Sequence, residues 1–328
     1  MFTAGNILGT IGNTPLVRLT KIPAGTKANL FAKLEFFNPG GSVKDRMALF
    51  IIEDAERRGL LKPGGTIVEN SSGNTGAALA MIAAVKGYRC IITIPDKMSR
   101  EKIDLMRAFG AEVVVTPTDV PADSPESYYS VARRIARETP GAFYPDQYNN
   151  PKNIEAHYRT TGPEIWEQTG GAIDYLVAGI GTGGTLSGAG RFLKEKKPDI
   201  KIIAVDPEGS VFYHYFKTGK IPQPHVYQVE GIGEDYLVKA VDFEIIDDII
   251  QVNDKHSFLM ARRLAREEGI FAGGSSGSAV WAAMQLARQL SEPRNIVVIL
   301  PDSGSRYLSK MYNDDWMRKN GFLDETQS

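Results

Sequence analysis

Cysteine is almost missing from this chain. Cys90 is the only one in 328 residues, which excludes an intrachain disulfide and any multi-cysteine metal site. It lies in the strand-like run 89–94, where a buried structural thiol is expected rather than a reactive one. Histidine is nearly as scarce. His157, His214, His225 and His256 show no i, i+4 pairing, so no metal site is expected. Excess charge is missing too: 38 basic against 39 acidic residues leave a formal net charge of -1. Such a balance gives no bulk attraction to nucleic acid or to an anionic membrane. No apolar run is long enough to span a bilayer, and residues 1–6 do not form a basic region followed by an apolar core. What remains is a chain with 42% hydrophobic residues, enough for one large or two moderate domains, expected in the cytoplasm.

Two segments share one plan. Residues 66–69 read as a strand, followed by Asn70-Ser71-Ser72-Gly73-Asn74-Thr75-Gly76, a helical run 77–86 and a strand 90–94. Residues 173–178 again read as a strand, followed by Gly179-Ile180-Gly181-Thr182-Gly183-Gly184-Thr185, a helical run 186–197 and a strand 201–205. Strand, Gly/Ser-rich turn, helix, strand is a βαβ unit with parallel pairing. Further helices are expected at 101–109, 127–138, 257–268 and 278–290, and further strands at 112–116 and 295–300. Two βαβ systems predict two α/β domains with a cleft between them.

The chemistry-bearing candidates lie in the loops. In Asn38-Pro39-Gly40-Gly41-Ser42-Val43-Lys44-Asp45-Arg46 a glycine pair delivers Lys44 to the start of an apolar helical run. The positive end of a helix disfavours an ammonium, and a lysine with a lowered pKa can form an imine with an aldehyde. The plain alternative is a surface lysine at a helix start. Residues 181–185 offer converging N–H groups and two hydroxyls at a helix start, suited to a phosphate; a tight turn is the alternative. Gly179-x-Gly181-x-x-Gly184 satisfies G-x-G-x-x-G, with Asp206 about 20 residues on, so a nicotinamide-dependent dehydrogenase stays open. The loop 71–76 suits a carboxylate or is an ordinary N-cap. A third cluster, Gly273-Gly274-Ser275-Ser276-Gly277-Ser278, again precedes a helix.

In order and spacing these four loops resemble those of the cysteine synthase/cystathionine β-synthase family of fold-type II pyridoxal-phosphate enzymes. The resemblance runs from Ile11-Gly12-Asn13-Thr14-Pro15 to Gly321-Phe322-Leu323. The segments Glu35-Phe36-Phe37-Asn38, Pro95-Asp96-Lys97-Met98-Ser99 and Val229-Glu230-Gly231-Ile232-Gly233 tilt it toward the cystathionine β-synthase branch. It implies a tryptophan-synthase-β-like fold of two three-layer α/β domains. Residues 16–37 plus 149–328 would form the larger, phosphate-binding domain, and 1–15 plus 38–148 the smaller. Lys44 would hold pyridoxal 5'-phosphate as an internal aldimine. Asn74 would bond the ring hydroxyl, Gly181, Thr182, Gly183, Gly184 and Thr185 the phosphate, and Ser275 would face the ring nitrogen. Ser71, Ser72, Gly73 and Thr75 would take the amino acid carboxylate, with Tyr148, Gly231 and Glu234 nearby.

The implied reaction is β-replacement on serine through an α-aminoacrylate, giving cystathionine with homocysteine. The alternative is cysteine from O-acetylserine and sulfide. Glu234 stands where the animal enzyme has a tyrosine, so it either pairs with the amino group of the second substrate or is merely solvated. Tyr148 is alternatively a packing aromatic, and Gly231 a turn glycine. Further expectations are a homodimer, and neither the haem segment before residue 10 nor the tandem regulatory unit after Leu323 that the animal enzyme carries.

Overall fold

A computed structural model describes residues 3–121 and 123–324. The polar tail read at 324–328 therefore lies, beyond Asp324, outside the described residues. Among the described residues ten strands form two sheets. The larger has the order β1 (Leu16–Arg18), β2 (Ala28–Leu34), β10 (Arg294–Leu300), β7 (Tyr175–Gly179), β8 (Lys201–Pro207), β9 (Asp248–Val252). Only β1 runs antiparallel to its neighbour. The smaller, entirely parallel sheet has the order β5 (Glu112–Thr116), β4 (Arg89–Pro95), β3 (Thr66–Asn70), β6 (Ala142–Phe143).

Each sheet is covered on both faces, and the strand sequences show why. Val298 and Leu300 of β10 enter one core with Leu30, Ala32 and the helices Asp254–Glu268 and Gly274–Gln289. The alternate residues Val297 and Ile299 enter the opposite core with Leu176, Ala178 and the helix Gly184–Lys196. Alternation with both faces apolar is what a doubly covered parallel sheet requires. The smaller sheet repeats this: Ile67, Ile92 and Ile94 face the helix Asn74–Lys86, while Val68 and Ile91 face the helix Tyr128–Glu138. Asn74–Lys86 is buried nearly all round, and its run of alanines lets neighbouring elements approach closely.

The expected element types stand, with shifted ends. The helix expected at 186–197 begins at Gly184, and the one expected at 257–268 begins at Asp254, behind an Asn253 cap bonded to the His256 N–H at 3.0 Å. The larger correction concerns 273–278. The helix starts at Gly274, so the cluster is its first turn and not a loop before it. Gly277 is the reason: a Cβ there would stand 1.9 Å from the Ser257 carbonyl, so two helices cross backbone to backbone. Cys90 is buried, and burial pushes its thiol up to about 12, as an unreactive thiol requires. No helix among the described residues is long and apolar enough to cross a membrane, and no group of three metal-ligating side chains occurs among them.

Candidate active site

Parallel pairing decides where the site lies, because neighbouring parallel strands end on the same edge of a sheet. In the larger sheet β2, β10 and β7 are adjacent. Their ends release the lysine segment, Pro301–Asp302 and the Gly-Thr-Gly-Gly-Thr turn side by side. The Val43 N–H donates to the Pro301 carbonyl at 2.8 Å, which seats the start of the helix Lys44–Arg57. In the smaller sheet the central strand β3 releases the loop leading to Asn74.

These four ends surround two adjoining chambers. The inner one is lined by Lys44, Asn74, Gly181, Thr182, Gly183, Gly184, Thr185 and Ser275. The outer, about 450 Å³, is lined by Lys44, Ser72, Asn74, Thr75, Tyr148, Gly231 and Glu234, with Tyr128 and Tyr129 beside them. Two sequence-selected residues line neither. Ser71 is buried, and its hydroxyl accepts the N–H groups of Gly73 (3.0 Å) and Gly76 (2.9 Å), so it shapes the loop from behind. Gly73 is held at φ 132° above Lys102, whose Cδ a Cβ would approach to 2.4 Å.

Lys44 is half-buried, and desolvation lowers its pKa; Glu234 and Asp302 oppose this. The fall favours a neutral, nucleophilic amine. Glu234 is pushed up to about 8 by its own burial and by Asp235, with Tyr148, Lys44 and Lys97 pulling the other way. Of the tyrosines around it, Tyr148 is buried and Tyr128 half-buried. Tyr128 and Tyr148 stand 3.4 Å apart, oxygen to oxygen, and burial raises both pKa values, with the Glu234 charge adding to it.

The inner turn is braced from outside by residues the sequence did not reveal. Asn153 donates to Thr182 Oγ1 at 2.9 Å, and His157 Nε2 lies 3.2 Å from Thr185 Oγ1, its other nitrogen 2.9 Å from Thr161 Oγ1. Burial, then Arg46 and Lys44, push the His157 pKa well down, so this brace is a neutral imidazole. Both belong to the helix Lys152–Arg159, far from the turn in sequence. Asp206 meanwhile points elsewhere: its carboxylate accepts the Tyr213 N–H at 2.9 Å and lines neither chamber. The ribose contact of a dinucleotide site is thereby lost.

Residues 7–302 match the family described as "Pyridoxal-phosphate dependent enzyme". The chain belongs to that family. Pyridoxal phosphate is its cofactor, and the dehydrogenase alternative is overturned. Cystathionine β-synthase of Mus musculus is 53% identical over 325 residues, 98% of this chain and 58% of the mouse protein. That of Apis mellifera is 51% identical over 97% of this chain and 63% of its own length. The chain thus spans about six-tenths of these curated relatives. Among solved structures, a hydrogen sulfide-producing enzyme from Fusobacterium nucleatum superposes with a TM-score of 0.87 at 37% identity, covering 93% of this chain and 100% of the other.

The residues present fit the cofactor. A Cβ would stand 2.9 Å from the Gly231 carbonyl at Gly181, 2.6 Å from Val241 Cγ2 at Gly183 and 1.9 Å from Asn153 Oδ1 at Gly184, so the turn keeps its shape only without side chains. It opens a helix, whose first N–H groups have no intrahelical acceptor and suit a phosphate. Ser275 is 3% exposed, lines the inner chamber and has no side-chain hydrogen bond among the described residues.

Proposed function

We propose that this chain condenses L-serine with L-homocysteine to L-cystathionine, as a pyridoxal-phosphate-dependent lyase. The convergence of a desolvated Lys44 amine with Asn74, the glycine turn and Ser275 around one chamber supports it most directly. Lys44 would hold the cofactor covalently, residues 181–185 its phosphate, Asn74 its ring hydroxyl and Ser275 its ring nitrogen. When bound, the cofactor supplies an electron sink that acidifies the substrate Cα–H and lets the β-substituent leave. The residues do the rest. Lys44 Nζ, its pKa lowered by desolvation, takes the Cα proton and passes a proton to the departing hydroxyl. Ser275, a hydroxyl rather than a carboxylate, does not hold the ring nitrogen protonated, which keeps the sink moderate and favours elimination over racemisation. Ser72 and Thr75 bind the carboxylate, Thr75 through its backbone N–H, since its one hydroxyl proton goes to Gln147 Oε1 at 2.7 Å. Tyr148, Gly231 and Glu234 face the second substrate. Ser71 and Gly73 act on loop shape instead.

The two sheets would be the centres of two domains divided near residues 37 and 149. The assembly is a cytoplasmic homodimer in this proposal, checked by sedimentation. The deciding experiment offers serine or O-acetylserine, then homocysteine or sulfide, and identifies the product by mass. Cystathionine from serine supports the proposal. Cysteine formed only from O-acetylserine and sulfide would replace it with cysteine synthase, and a sulfide-producing structural relative makes that arm worth running.

A further inference from the structure

Asn74 is gripped at both ends of its amide. Its Nδ2 donates to Asp302 Oδ2 at 2.8 Å, and its Oδ1 accepts from Arg306 Nη1. An anion on the nitrogen end and a cation on the oxygen end leave only one favourable orientation, since a flip would set Oδ1 against a carboxylate and Nδ2 against a guanidinium. A primary amide has two N–H bonds. Asp302 takes one, and the other is left for an acceptor in the chambers that Asn74 lines beside Lys44.

The grip is itself held. Asp302 Oδ2 also accepts from Tyr307 Oη at 2.6 Å, and Asp302 is fully buried. Arg306 is 4% exposed, donates also to the Gly40 carbonyl, and has the Asp45 carboxylate in its field. One short segment after β10 therefore ties the lysine loop and the asparagine helix together. The charged groups around the amide are Asp302 and Arg306, with Lys44 across the chamber and Asp45 behind Arg306.

We propose that Asp302 and Arg306 are positioning residues that orient the Asn74 amide so that its free N–H meets the ring oxygen of the cofactor and keeps that oxygen anionic. The proton shared between the ring oxygen and the lysine nitrogen then resides on nitrogen. Without the oriented donor it moves to oxygen, with no other bond changed. Because the proposal rests on Asn74 as a cofactor ligand, the test separates the two.

The readout is the absorbance of cofactor-loaded, substrate-free protein at fixed pH, in which the visible band reports the proton on nitrogen and the near-ultraviolet band the proton on oxygen. Asn74→Ala, Asp302→Asn, Arg306→Lys and Tyr307→Phe are compared with the parent. The expected result is that Asn74→Ala lowers the visible-to-ultraviolet ratio about tenfold, the loss of one hydrogen bond to a charged oxygen. Asp302→Asn and Arg306→Lys should fall the same way by at least about threefold, and Tyr307→Phe by less. If Asn74→Ala shifts the ratio and both Asp302→Asn and Arg306→Lys leave it at the parent value, the positioning role is refuted while Asn74 stays a ligand. If Asn74→Ala itself leaves the ratio unchanged, the ligand assignment fails first. Asp302→Asn preserves volume, so its spectrum stays readable even should Arg306→Lys fail to fold.

Discussion

Glu230 offers the sharpest test of how the cleft is held together. Its Oε2 accepts from Lys102 Nζ at 2.6 Å and its Oε1 from Lys310 Nζ at 2.7 Å. Lys102 comes from the helix Arg100–Ala108, Lys310 from the segment after β10, and Glu230 itself lines the outer chamber. The side chains of Lys102 and Glu230 are 1% and 5% exposed. Glu230→Gln keeps the shape but strands the Lys102 ammonium without an anion, and breaking a buried pair in this way costs about 3–5 kcal/mol. Unfolding entropy of about 2.1 cal/mol/K per residue makes that a fall of roughly 4–7 °C in melting temperature. Lys102→Met in the Glu230→Gln background removes the stranded charge while Met fills the space of the stem, so the double variant should recover half or more of the loss. Burial alone would raise the Glu230 pKa, but Lys102 and Lys310 bring it below the ordinary value. Its stabilisation is therefore fully present above the unfolded value near 4.3 and is lost as pH falls through the lower folded value. The gap between parent and Glu230→Gln should accordingly narrow at pH below about 4. Thermal melts of cofactor-saturated protein at several pH values measure all of this. A Glu230→Gln melt within about 1 °C of the parent, or a double variant no better than the single, would show that the triad does not hold the cleft.

Four further outcomes are expected. Lys44→Ala should abolish turnover and leave the cofactor bound only noncovalently, so borohydride reduction followed by digestion finds no labelled peptide. Gly184→Ala must push Asn153 away from Thr182 and should weaken cofactor binding about tenfold or more, read by titration of the apo protein. Glu234→Ala should raise the KM for the thiol substrate about tenfold while leaving the first half-reaction near the parent rate. Because the folded Glu234 value of about 8 lies above its ordinary 4.5, ionisation costs stability increasingly as pH climbs between the two. Glu234→Gln should therefore melt higher than the parent at pH near 8 and equally near pH 4.5, and the reverse order would sink the assignment.

What the sequence disclosed about the site was local in character. Three of the four segments announce themselves by glycines and hydroxyls between an apolar strand and a helical run, and the fourth, 273–278, by glycines and serines ahead of a helical run, patterns readable within a dozen residues. Lys44, Asn74, the turn 181–185 and Ser275 were legible for that reason, and the sheet edges then bring them together. The error at 273–278 has the same root. Glycines that mark a turn when met singly also mark a helix pressed against another helix, and only the Ser257 carbonyl, standing where a Cβ of Gly277 would go, separates the two cases. Ser71 was misjudged similarly, since a serine in a loop gives no sign of whether its hydroxyl turns toward a ligand or back onto its own backbone.

The illegible part is the set of side chains that hold the loops in register. Asn74 meets Arg306 across 232 residues, Lys102 meets Glu230 across 128, and Arg46 meets Glu164 across 118. No spacing rule reaches that far, and a lone buried arginine or glutamate has no signature in the sequence. Arg46 shows what such residues accomplish. Two positions after Lys44, its guanidinium takes Glu35 at 2.7 Å and Glu164 at 2.6 Å while being 1% exposed. The first turn of the lysine helix is thereby fixed to the turn Glu35–Phe37 that follows β2 on one side and to the helix Thr161–Gln168 on the other. The lysine proposed as the nucleophile is thus anchored by groups with no chemistry of their own, which is why local motifs name the candidate residues and only the folded chain shows what aims them.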